Sequence, residues 1–377
     1  MNHNWLFGRG GAHLFFGGPN VVSVSGPTPH ALATDEGCAS LSNPATGQLE
    51  IYSDGSKVWN RLHAELVTGL GGSVTSTQSV VIVPGSDRRY FVFTTGATGS
   101  GNHLGGVRVD LNQGGSVPIA SILGGPNPTM PSVAGLANTE KLVAVEQEER
   151  RGFWVITVVR AGWNSPDRFR MFRVMTAGNY VVPVADTPIV LVPANAGPVN
   201  VKLRDNGHLK VSPTRDRIAV SSSTDRSRVY VFRFDNRNGV IDVANGRSVT
   251  IPVDEFTEPY GLEFSPDGRL LYHATAGRQN ATNPAALIYQ VDLSAQQLTP
   301  VQVASYSANP NYGYALGALQ LARDGRIYVA KDGEATLGAI TSPNTVGAGC
   351  GWTPSAVTLA VGGICRLGLP NDPVLVV

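Results

Sequence analysis

Residues 262–274 read LEFSPDGRLLYHA: a short alternating strand, a tight turn at Asp267-Gly268, and a second alternating strand. Asp bonds to nearby backbone amides and Gly tolerates positive φ, so this pair suits a hairpin turn. Two other stretches repeat the pattern, LKVSPTRDRIAV at 209–220 and LQLARDGRIYVA at 319–330. The copies begin at Leu209, Leu262 and Leu319, a period in the fifties, close to what a four-stranded propeller blade needs. A chain of 377 residues holds about seven such units.

Weaker copies lie upstream: CASLSNPATGQLEIYS from Cys38, SVVIVPGSDRRYFVFT from Ser79 and VAGLANTEKLVAVEQ from Val133. Further strands follow the repeat cores, such as RVYVFRF at 228–234 and ALIYQVDL at 286–293, with apolar and polar residues alternating as in half-buried strands. KVWNRLHAEL at 57–66 is the best helix candidate and is ambiguous on periodicity. Six copies leave two ends. The C-terminal RLGLPNDPVLVV reads as one inner strand, and NWLFG, AHLFFG and VVSVSG near the N-terminus read as three more. The expected fold is therefore all-β: a single domain over 1–377, a seven-bladed β-propeller closed by one C-terminal and three N-terminal strands. Closure of this kind removes exposed sheet edges. Six blades is the alternative.

Composition agrees with a turn-rich, strand-rich protein. There are 44 glycines and 25 prolines, 42% hydrophobic residues and only 15% charged ones, against the usual quarter. A net charge of +1, from 29 basic and 28 acidic residues, gives no basic stripe for nucleic acid. No apolar run reaches the length of a membrane-spanning helix. MNHNWLFGRGG lacks a basic region followed by an apolar core, so no signal peptide is expected. Of three cysteines, Cys350 and Cys365 are 15 residues apart and would bridge if the protein meets an oxidising compartment; buried free thiols are the other reading.

The ordered set NWLFGRGGAHLFF, EGCASLS, YSDGSKVWNRLH, STQSVVIVP, FWVIT, GHLKVSP, YGLEFSPDGRLLY, ALQLARDGRIYVA, LGAITSPNTVGAGC and GLPND runs from residue 4 to 372. In that order it resembles the β-propeller modules of large secreted proteins of Bacteroidetes-type bacteria, which often precede PKD-like and type IX sorting domains. The resemblance implies a secreted or surface-associated propeller with no established enzyme activity. Two departures stand out. Val158 replaces the family's usual histidine after the WVxT pattern, and no PKD-like or sorting domain follows GLPNDPVLVV. A free-standing module also fits a subunit of a larger assembly, such as a phage tail or a contractile injection particle assembled in the cytoplasm.

Candidate sites divide into braces and a channel mouth. In YSDGSKVWNRLH (52–63), Asp54-Gly55 suits a tight turn, Trp59 an inter-blade wedge that uses its N–H, and His63 a loop carbonyl. The functional alternative pairs Asp54 with His63 as acid and base, but no nucleophile stands at a recognisable spacing. The seven histidines form no HxH, HExxH or Cys/His cluster, so neither a metal nor another cofactor is expected. The glycine-rich FGRGGAHLFFGG (7–18) lacks the phosphate-loop pattern, and DNRNGVID (235–242) reads as a hairpin turn rather than a calcium loop. NAT at 280–282 is a glycosylation sequon.

Aligning the repeats places Glu36, Gln78, Gly207, Tyr260 and Gly317 at equivalent entries to inner strands. In a propeller these entries converge on one mouth of the central channel. Lys210, Glu263 and Gln320 lie one step further in, flanked by apolar residues. Buried there, they must be hydrogen-bonded, either to one another across blades or to a ligand. The leading functional expectation is a non-enzymatic binding or scaffold propeller for a protein or glycan partner. The inter-blade loops 95–106, 161–168 (with Trp163) and 274–285 would supply its variable surface. A lactonase-like propeller hydrolase with its active site at the channel mouth is the alternative.

Overall fold

The computed structural model describes residues 2–18, 21–24, 30–97, 104–119, 137–162, 164–192, 197–203, 206–222, 228–252, 259–277, 285–307 and 311–375. Six antiparallel sheets of four strands follow one another along the chain. We label them blades I (39–67), II (80–118), III (137–188), IV (209–250), V (259–307) and VI (316–358). Blade III carries an extra short strand, Thr187–Pro188. Each LEFSPDGRLLY-type copy forms the first two strands of a blade, with Gly268 at φ 70° in its turn.

The hydrophobic cores lie between blades. Strand periodicity sends alternate side chains to the two faces of each sheet, and each face packs on the next blade. One apolar cluster joins I to II through Ile51, Val58, Ile82 and Val92. Others join II to III, III to IV, IV to V and V to VI. The chain is a β-propeller.

The three N-terminal strands form as expected: Asn4–Leu6, His13–Gly18 and Val21–Val24 pair in one sheet. This sheet wedges between blades VI and I. Trp5 and Phe16 both meet Tyr328 of blade VI edge to face, at 5.8 Å between ring centroids. The same cluster takes in Tyr52 and Trp59 of blade I.

The expected seventh blade is not completed. The structure has six four-stranded blades, the alternative count, with the N-terminal sheet remaining three-stranded. The C-terminal segment starts beside it, where Ile364 and Arg9 exchange backbone hydrogen bonds. It then leaves the sheet and enters the channel. There Cys38 bridges Pro370 and Val145 bridges Val374, both in parallel. The reason is a close fit at the mouth: Gly368 packs so near the Glu36 carbonyl that a Cβ would lie 1.7 Å from it. Beyond that point Asn371 donates to three backbone carbonyls, those of Cys38, Val80 and Leu142.

Two readings that the sequence left open are decided. Cys350 and Cys365 are not bridged: all three cysteines are buried free thiols, Cys350 in the core between blades V and VI, Cys365 in the one around the N-terminal sheet. KVWNRLHAEL is not helical but a hairpin, Val58–Asn60 and Glu65–Val67, with His63 at φ 63° in its turn. DNRNGVID is a hairpin turn, as expected, with Gly239 N–H donating to the Asp235 carbonyl. Trp163 and the sequon 280–282 lie outside the described residues.

Asn371 is the clamp. Its amide N donates to the Val80 and Leu142 carbonyls at 3.1 and 2.8 Å, and its backbone N–H donates to Cys38 O at 2.8 Å. Asn371→Ala strands two buried carbonyls, which costs about 1–3 kcal/mol. Urea unfolding should show a lower midpoint at unchanged m-value.

Candidate functional site

The starts of the inner strands converge as the repeat alignment predicts, yet the residues found there divide into three sets. At the mouth, Glu36 sits partly exposed at the surface but deep among protein atoms, and burial, followed by the nearby Glu140 charge, pushes its carboxyl up to about 8. Tyr260 is buried and directs its hydroxyl at Glu36, within electrostatic reach but without hydrogen-bond geometry to a described residue. Burial, then the Glu36 charge, raises this phenol well above its usual range. Glu140 is buried alongside, its Oε2 accepting from the Thr77 backbone N–H at 2.9 Å and the Thr77 hydroxyl at 2.7 Å.

Gln78 does not face the mouth. Its amide spans three blades: Oε1 accepts from the Leu209 N–H at 2.8 Å and the Leu142 N–H at 3.3 Å, while Nε2 donates to Leu209 O at 3.0 Å. Nε2 also donates to Asn371 Oδ1 at 3.4 Å, so the amide is engaged by inner-strand backbone and by the C-terminal segment.

Lys210, Glu263 and Gln320 form the third set, deeper in the channel. The Lys210 ammonium donates to Glu263 Oε2 at 3.0 Å and Gln320 Oε1 at 2.6 Å. Glu263 also accepts from the backbone N–H of Phe264 and of Leu321, at 2.9 and 3.0 Å. Blades IV, V and VI are thus tied by one buried polar chain, the inter-blade network that the sequence allowed. Asp372 of the C-terminal segment lies within range of Lys210 and accepts from Asn2 and from the Trp5 indole; burial holds its carboxyl above the usual range.

The stretch YSDGSKVWNRLH (52–63) forms a brace. Asp54 Oδ1 accepts from the Ser56 and Lys57 backbone amides at 2.8 and 2.7 Å, closing the turn. Trp59 stacks on Tyr52 with centroids 5.2 Å apart. His63 meets the Tyr52 hydroxyl at 3.0 Å rather than a loop carbonyl. Asp54 and His63 do not pair.

Sequence reasoning missed Thr77, Glu140, Asn371 and Asp372. Glu140 hides behind a register irregularity between Asn138 and Leu142 that the repeat alignment could not see. Asn371 and Asp372 stood in GLPND, quoted only for resemblance. Among the described residues, no group of three or more His, Cys, Asp or Glu is arranged to hold a metal ion.

No protein-family model matches the chain, and no curated protein sequence does. Solved structures do. A putative 6-phosphogluconolactonase from Bacteroides fragilis is similar at 10% identity and TM-score 0.45, over 84% of this chain and 79% of that one. A luciferin-regenerating enzyme is similar at 12% identity and TM-score 0.44, over 90% and 95%. The Dos1 propeller is similar at 12% identity and TM-score 0.47, over 85% and 74%.

Removing one partner of the deep pair leaves an uncompensated buried charge, so Lys210→Met should cost about 3–5 kcal/mol. Lys210→Met combined with Glu263→Gln should recover much of it, as a double-mutant cycle in urea would read.

The titratable groups also set a pH optimum for stability. Desolvation lowers His13 to about 4, and His208 and His273 to about 3. Unfolded histidine protonates first, so their stability is full above about 6.5 and is lost as pH falls, at most about 1.4 kcal/mol per unit for each. Glu36, raised to about 8, and Asp372, also raised, act oppositely: the folded state holds their protons, and stability falls as pH climbs from about 4 through 8. Below 6.5 the lowered histidines, His3 and His30 among them, outweigh the raised carboxyls, Asp332 included, and above it the carboxyls act alone. Melting temperature should peak near pH 6.5 and decline on both sides.

Proposed function

We propose that the protein is a non-enzymatic binding propeller, presenting its surface to a protein or glycan partner outside the cell or within a larger assembly. One observation carries the reading: the channel of this propeller is occupied by its own chain. Residues 370–374 run inside the inner strands, and the polar atoms of Gln78, Lys210, Glu263 and Gln320 are consumed by protein partners. A substrate in the lumen would have to displace that segment. Because adjacent strands are antiparallel, the connections between second and third strands leave each blade at the end where inner strands begin. The strands that 95–106, 161–168 and 274–285 connect have their described ends there, so the proposed recognition surface is assigned to the mouth side of the ring.

Glu36 favours a second reading. A carboxyl raised to about 8 beside a buried phenol is the kind of perturbed group that general acid chemistry uses, and a mouth-level hydrolase would employ it. Purified protein assayed against lactone, ester and glycoside panels should show no turnover. Turnover that disappears in Glu36→Gln, with the melting curve preserved, would replace the binding reading by the hydrolase.

A further inference from the structure

On the flank of the ring, away from the channel, blade IV places two arginines directly opposite each other. Arg217 of the strand Arg217–Ser222 is in register with Arg233 of the strand Arg228–Asp235. Like charges at paired cross-strand positions repel, so such a pair needs a reason. Arg247, on the strand Val240–Thr250, stands opposite Val231 and so shares the face that Val231 and Arg233 present. The three arginines, with Val231 and Asn245, line a groove of about 430 Å³ whose far wall is Leu293 and Leu298 of blade V.

Other blades treat the same position differently. In blade II, Arg89 begins the second strand and faces Asp110 in register, with Nε to Oδ2 at 2.8 Å. In blade V, Arg269 reaches Asp292 at 2.9 Å. Blade IV has Arg233 where blade II has the carboxylate.

Within the groove the guanidinium groups are oriented but poorly neutralised. Arg247 donates to three carbonyls, Leu293 O at 3.1 Å, Ala295 O at 2.6 Å and Gln296 O at 2.7 Å. Arg217 donates to Gly268 O at 3.0 Å and lies 3.7 Å from the exposed Asp216. Arg233 is exposed and stands in register with Asp242 of the fourth strand, but its guanidinium makes no hydrogen bond or ion pair with a described residue. The carboxylates on the neighbouring side are engaged: Asp242 by Asn245, Asp235 by Asn238, and Asp216 by Ser212 and Thr214. Planar guanidinium forks held at fixed positions are suited to an oxyanion.

We propose that the groove between blades IV and V binds an anionic group, a sulfate, phosphate or carboxylate carried on a larger ligand, with Arg217, Arg233 and Arg247 as its contacts. The site is independent of the channel, so turnover at the mouth would leave it untouched.

Isothermal titration at low ionic strength with sodium sulfate, sodium phosphate and sodium glucuronate tests it. Saturable binding of at least one anion is expected. It should weaken at least ten-fold in Arg233→Ala and vanish in Arg233→Asp, while Arg61→Ala on blade I changes nothing. Arg233→Asp places a carboxylate opposite Arg217, as Asp110 stands opposite Arg89, but also opposite Asp242, so Arg233→Ala, whose melting temperature should stay unchanged, is the variant that separates lost binding from lost folding. Preference for sulfate or phosphate identifies a tetrahedral oxyanion, and preference for glucuronate a uronic-acid carboxylate. No saturable binding by the unmodified protein, or unchanged binding by Arg233→Ala, overturns the proposal.

Discussion

An inner propeller strand is hydrogen-bonded to its own blade along one edge only. Its other edge faces the channel, where backbone N–H and C=O groups must still find partners once water is excluded. Here that requirement is met by two amide side chains and one stretch of chain. Gln78 serves Leu142 and Leu209, Asn371 serves Val80 and Leu142, and Val374 exchanges backbone bonds with Ala144 and Glu146. Because Gln78 joins blades III and IV and Asn371 joins blades II and III, these bonds fix how the blades stand around the axis.

The same requirement divides the channel wall. Blades IV, V and VI contribute Lys210, Glu263 and Gln320, which satisfy one another, so no chain is needed on that side. Blades II and III have Val81 and Val143 at the equivalent positions, and these pack into inter-blade cores. The edge left bare beside them is the one that the C-terminal segment covers. A lumen partitioned in this way has little polar capacity left for a ligand, which turns attention to the mouth and the flank. Charge tells the two apart. At the mouth, crowded acidic groups and burial hold protons on Glu36, whereas on the flank arginines replace the carboxylate that a sibling blade uses.

Ring closure relies on packing more than on strand pairing. Among the described residues the one β-bridge between the N-terminal sheet and the C-terminal segment is Arg9–Ile364, while Trp5, Phe16 and Tyr328 interlock across the junction. Edge-to-face aromatic contacts add about 0.5–1.5 kcal/mol each beyond the area they bury. Cys38 and Cys365 belong to this same dry cluster, and burial pushes both thiols upward, so they act there as small apolar side chains.

Much of this was legible in the amino-acid sequence. Period-2 alternation and the Asp-Gly turns are local properties, so the copies at 209, 262 and 319 marked blades IV, V and VI, and the three N-terminal strands fell where they were expected. Local chemistry also identified Asp54 as a turn former. What depended on long-range register was not legible. Whether 366–375 would complete a sheet or enter the channel turned on the fit of Gly368 against Glu36 and on carbonyls 229 and 291 residues away in the chain from Asn371. Likewise, the meeting of Glu36, Glu140 and Tyr260, and the facing of Arg217 by Arg233, exist only once strands pair and blades close. Periodicity sets which face a side chain takes; only the assembled ring sets what it meets there.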